Sequence, residues 1–233
     1  MTIHDPRKLI EELRDHLATH QKPLIFLFGA GTSAAINVAP PPKSGHKPLY
    51  EPLIPAIDGL TERCAKAVKG QGEGYQTAWE SLVTQCKQEN KAANVENLLS
   101  KVRMKLEAIG EGETLVGLDR GGLSILEDTI CVSIADAVTP NDDRIPDRIP
   151  HDDFANWVKK VNRTAPLEIF TLNYDFLFER AFESARVPLF DGFVGGHEPF
   201  FYPECLDDEN LLPNAKWVRL WKLHITYSTW SIM

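Results

Sequence analysis

Clustered positive charge is missing from this 233-residue chain, which carries Lys+Arg 25 against Asp+Glu 33 and a formal net charge of −8. Sequence-independent nucleic-acid binding needs grouped Lys and Arg to neutralise phosphates, so small molecules or proteins are the expected partners. Long apolar runs are also missing. No stretch approaches the roughly 18 residues of a membrane span, and Met1 to Asp15 hold no signal-peptide core, so a soluble cytoplasmic protein is expected. Paired cysteines are missing as well: Cys64, Cys86, Cys131 and Cys205 lie too far apart for any CxxC, which leaves no zinc module to expect. They read as reduced, mostly buried thiols. The 43% apolar content is enough to build a core without staples, which excludes a repeat array, a coiled coil or a disordered tail.

Asp5-Pro6 supplies an N-cap and a first helical residue, and Leu9, Ile10, Leu13 and Leu17 follow at helical spacing, a stripe expected to pack in the core. Pro23 to Phe28 is a short apolar run closed by Gly29, the pattern of a strand buried on both faces in a parallel sheet. Pro40-Pro41-Pro42 forces the next segment into a loop, so any helix after Gly31 is short. Leu53 to about Ile109 reads as two or three helices, one capped by Asn94, and a further helix is expected over about 121–138. The tandem Asp143-Arg144-Ile145-Pro146 and Asp147-Arg148-Ile149-Pro150 suggests an exposed connector. Asp152-Asp153 is positioned to cap a helix carrying Phe154, Trp157 and Val161. Leu167 to Thr171 is a second strong strand, followed by a helix from Asp175 to about Ser184, a short strand near 187–190, a Gly/Pro-rich loop over 192–213 and a strand over 217–223. Strong strands separated by a long helical stretch imply an α/β sheet with a large helical insertion.

Three segments could carry chemistry. Gly29-Ala30-Gly31-Thr32-Ser33-Ala34 follows the first strand, and Gly29, Gly31 and Ala34 satisfy the G-x-G-x-x-G/A spacing. Such a turn lets backbone approach a pyrophosphate, although small residues at a tight turn also serve packing alone. An acidic residue at the end of a second strand, the redox companion of this motif, is absent: Glu51 follows a proline-rich loop, which disfavours a hydride-transfer dehydrogenase. Thr171-Leu172-Asn173-Tyr174-Asp175 places polar residues at the carboxyl end of a strand, where ligands of open α/β sheets bind, while capping the next helix is the alternative role of Asp175. Lys222-Leu223-His224 ends another strand with a histidine able to act as a base near neutral pH. His151-Asp152-Asp153 and His197-Glu198 lack metal-ligand spacing and read as loop polars, and Trp217 and Trp221 read as core.

The glycine turn, the Asn-Asp motif and the terminal histidine, each after a strand and in this order, resemble the sirtuin superfamily, and more closely the bacterial sirtuin-like domains of antiphage defence systems. Asn94 to Leu99 is similar to a helical segment of that group. The resemblance implies one Rossmann-like α/β domain over 1–233, with core strands about 23–34, 166–190 and 216–224 and a helical insertion about 51–140. It assigns Gly29, Ala30, Gly31, Thr32 and Ser33 to the NAD+ pyrophosphate, Asn173 and Asp175 to the nicotinamide ribose, and Asn173 and His224 to catalysis. The implied activity is NAD+ hydrolysis to nicotinamide and ADP-ribose, with NAD+ as substrate, no zinc, and a homo-oligomer or a defence-system partner protein.

Two departures sharpen this expectation. Protein-deacylating sirtuins hold the Asn motif and the histidine close together and follow them with a four-cysteine zinc module. Here Asn173 and His224 are 51 positions apart (224 − 173) and no cysteine pair exists, which favours a hydrolase over a deacylase. The family reads His-Gly-Ser where this chain has His224-Ile225-Thr226, and its later strands have no counterpart before Met233, so a C-terminally incomplete cofactor site is expected. A non-catalytic module that binds a nucleotide or a partner is the alternative function.

Overall fold

The computed structural model describes residues 5–42 and 47–223. His224, and with it the expected catalytic base, lies outside the described residues. The chain forms two compact units, one of residues 5–33 with 146–223 and the other of residues 34–42 with 47–145.

The first unit is a Rossmann-like α/β fold. Helix α1 (Pro6–Ala18) leads into β1 (Leu24–Phe28) and the single turn α2 (Gly31–Ala34). Helix α7 (Pro150–Lys160), strand β2 (Leu167–Thr171), helix α8 (Leu177–Ala185), the two-residue strand β3 (Leu189–Phe190), a hairpin of β4 (Phe193–Val194) and β5 (Phe200–Phe201), and strand β6 (Val218–Lys222) complete it. The main sheet is wholly parallel, in the order β1-β2-β6-β3.

Register explains its core. Leu24, Phe26 and Phe28 pair with Leu167, Ile169 and Thr171, which pair with Val218, Leu220 and Lys222, so all nine side chains share one sheet face. Helices α7 and α8 cover that face through Phe154, Ala155, Phe178 and Phe182, and the Phe28 ring packs tilted against Phe178 with centroids 4.7 Å apart. Ile169, Leu220 and Phe182 are fully buried, each contributing on the order of 1.5–3 kcal/mol of hydrophobic stabilisation.

The opposite face departs from the sequence expectation. Strand β1 lies at the sheet edge with Ile25 62% and Leu27 71% exposed, so it is covered on one face only. Trp221 and Arg219 on this face are not simple core either, because Glu168 accepts from the indole at 2.6 Å and from the guanidinium at 2.8 Å. Trp217, just ahead of β6, is partly exposed. The α1 stripe differs too. None of its residues is buried, and only Leu17 touches the core; what fixes the helix is Arg163, buried, which donates to the carbonyls of Leu17, Thr19 and Lys22 at 3.1, 2.8 and 2.7 Å.

The second unit is helical. Its helices α3 (Ile57–Gly70), α4 (Glu73–Gln88), α5 (Val95–Ala108) and α6 (Arg120–Val138) bury Leu60, Val68, Leu82, Leu98, Leu123 and Ile130. Asn94 caps α5 by accepting from Asn97 N at 3.0 Å, and Asp119 caps α6 by accepting from Gly122 N at 2.7 Å. All four cysteines are unpaired and buried, and burial pushes the Cys64 thiol up to about 11.

Candidate functional site

The register Phe28↔Thr171 ends β1 and β2 at the same level, so the turn after each strand emerges side by side at the carboxyl edge of the sheet. Parallel pairing continues one step further, with Leu172 N donating to Phe28 O at 3.2 Å and Leu223 N to Thr171 O at 2.9 Å. The sequence-predicted residues Thr32, Ser33, Asn173 and Asp175 therefore converge although some 140 positions separate the two motifs (173 − 33). Ser33 is 1%, Asp175 4% and Asn173 8% exposed, burial that polar side chains tolerate only with partners.

Those partners are mostly each other. Ser33 Oγ donates to Asp175 Oδ2 at 2.7 Å, and Asn173 Nδ2 donates to Ser33 Oγ at 2.8 Å and to Thr32 Oγ1 at 3.1 Å. Thr32 Oγ1 donates to Gly29 O at 2.9 Å, and Asp175 Oδ1 accepts from Leu177 N at 3.2 Å, so Asp175 also caps α8 as its alternative role required. Asn173 N donates to the buried Thr171 hydroxyl at 3.0 Å, which holds the turn against the strand end. Asn173 Oδ1 is buried without a hydrogen-bond partner.

Gly29 and Gly31 have negative φ values, and a methyl group added at either would meet no atom within 4 Å. Neither backbone conformation nor packing among the described residues therefore dictates glycine at these positions.

Two features of the site were missed from sequence. Lys222 Nζ donates to the main-chain carbonyl of Asp175 at 2.7 Å, pairs with Glu179 Oε1 at 2.6 Å and sits 4.1 Å over the Phe176 ring, tying β6 and α8 to the Asn173 turn. Burial pushes the Glu179 carboxyl above its usual range, and the Lys222 charge opposes that shift. The available signal was a lysine continuing the apolar face of Val218 and Leu220 at period two. His151 is the second. It is not a loop polar but a 2% exposed residue in the first turn of α7, edge-on to Phe178 at 4.5 Å, with both ring nitrogens unpartnered. Burial lowers its pKa, against the raising effect of the Asp175 and Asp152 charges. Its spacing to buried Ala155 at i+4 was the sign that it shares the inner helix face. Asp152, expected as an N-cap, sits in the third helical position and accepts from Ile149 N at 2.9 Å. His197 and Glu198 are exposed, away from any such cluster.

No protein-family model matches the chain, and no curated protein matches it. Among the described residues no three His, Cys, Asp or Glu side chains group as a metal site, and no helix is long and apolar enough to cross a membrane.

Proposed function

We propose that this chain hydrolyses NAD+ to nicotinamide and ADP-ribose at the Asn173 site. The observation that carries the proposal is the buried, donor-free Asn173 Oδ1, held by Ser33 and Thr32 at the carboxyl ends of two adjacent parallel strands. Breaking the nicotinamide glycosidic bond builds positive charge on the ribose, so the site must orient the ribose and supply a nucleophile. Asn173 orients the ribose hydroxyl or the attacking water. Water oxygen bonds to the anomeric carbon, the carbon–nitrogen bond breaks with its electron pair going to the nicotinamide ring, and His224, assigned by motif alone, takes the water proton. The resemblance implies a part in antiphage defence by NAD+ depletion, within an oligomer or with a partner protein.

Incubation of purified protein with NAD+ is expected to release nicotinamide and ADP-ribose, and Asn173→Ala and His224→Ala are each expected to lower that rate at least about 100-fold. Full activity in both variants would overturn the site. ADP-ribose binding by calorimetry with no product formed would identify a nucleotide-binding module instead.

A further inference from the structure

The turn that carries Asn173 is held from two sides. Toward β1, Asn173 Nδ2 donates to Ser33 and Thr32, and Asp175 Oδ2 accepts from Ser33. Toward β6, Lys222 Nζ donates to the main-chain oxygen of Asp175 at 2.7 Å, two residues past Asn173. The same ammonium meets Glu179 Oε1 at 2.6 Å and lies 4.1 Å from the centre of the Phe176 ring. All three partners fall within residues 175–179, so one side chain of β6 grips the end of the turn and the start of α8 together.

Stability alone does not account for this lysine. Its side chain and that of Glu179 are 6% and 14% exposed, and Glu179 Oε2 is buried with no hydrogen-bond partner. Desolvating two such charges costs about what their attraction returns, and apolar residues of similar size in place of a buried pair are often neutral or stabilising. Val218 and Leu220, on the same sheet face of β6, show what the position would hold if packing were its only task. What an apolar residue cannot supply is the directed hydrogen bond to Asp175 O. We propose that Lys222 is a positioning residue: its ammonium fixes the Asn173 turn to β6, and so holds Asn173 in place for turnover, while Glu179 aims the ammonium. This rests on the NAD+ reading above for turnover, but not for the tie between strand and turn.

Lys222→Met alone leaves Glu179 as an unpaired buried charge and is expected to destabilise the fold, so the full chain with Lys222→Met and Glu179→Leu together, which removes both charges, is the variant to measure. It is expected to melt within a few degrees of wild type. Its kcat for NAD+ is expected to fall about tenfold to a hundredfold with KM within about twofold, the pattern of a misplaced reacting group whose ground-state binding is kept. Hydrogen exchange in the free protein is expected to quicken at least about tenfold at the Asn173 and Leu177 amides and to stay unchanged in β2 and β6. Unchanged kcat in the folded double variant, with or without a raised KM, overturns the proposal. A double variant that melts far below wild type makes the pair a stability element and overturns it too. Wild-type protein that does not consume NAD+ overturns the NAD+ reading instead, and exchange at Asn173 and Leu177 then decides alone whether Lys222 holds the turn.

Discussion

His151 sits where an uncharged side chain would serve the core better. Its burial lowers its pKa below the unfolded value of about 6.5, so the unfolded chain takes up a proton first as pH falls. The contribution of neutral His151 to stability is therefore whole above that value and declines as pH drops toward the folded pKa. His151→Leu removes two unpartnered nitrogens and is expected to raise stability by about 1 kcal/mol at pH 7. It should also flatten the loss between pH 7 and 5; parallel melting curves of variant and wild type over that range would refute the assignment. Gly31 offers a second residue-scale test. Since an added methyl meets nothing within 4 Å, Gly31→Ala should melt within about 0.5 kcal/mol of wild type yet bind NAD+ more weakly. Unchanged affinity would mean that no ligand approaches this turn.

Among the elements, α1 and β1 show how one pattern can serve two outcomes. The leucine spacing of α1 correctly marks a helix, but periodicity reports only that an apolar stripe exists. Which surface covers it is a tertiary matter, and in this fold the stripe stays largely exposed. Leu13→Ser should accordingly cost under about 0.5 kcal/mol in urea unfolding, whereas Leu220→Ala in the sheet core should cost about 2–5 kcal/mol. Arg163 is the element's true anchor. Arg163→Ala leaves three carbonyls without their charged donor and should cost about 2–3 kcal/mol, and Arg163→Lys should recover only part because an ammonium cannot reproduce the fork. Strand β1 misled for a related reason: an unbroken apolar run is compatible with burial on both faces, but Ile25 and Leu27 lie exposed on the face opposite α7 and α8.

Over the whole molecule, the helical segment inferred between the first two strands is a compact unit with its own buried leucines and capped helices. A unit of this size can bury a core of its own. Residues 34–145 expressed alone are expected to give a helical circular-dichroism spectrum and a cooperative thermal transition; a non-cooperative melt would show that the unit depends on the rest of the chain.

The sequence by itself determined the α/β class, the strand at 167–171, the helix cap at Asn94, and the two motifs that meet at the site. These rest on local rules: apolar runs, cap chemistry and polar residues placed directly after strands. Only the tertiary structure decided that Thr32, Ser33, Asn173 and Asp175 form one directional network, that Lys222 and Glu179 brace it, and that His151 is buried. Those facts depend on the parallel register that levels the ends of β1 and β2, and on which face of each element its neighbours cover. Register and coverage are properties of pairs of distant segments, which no local pattern encodes.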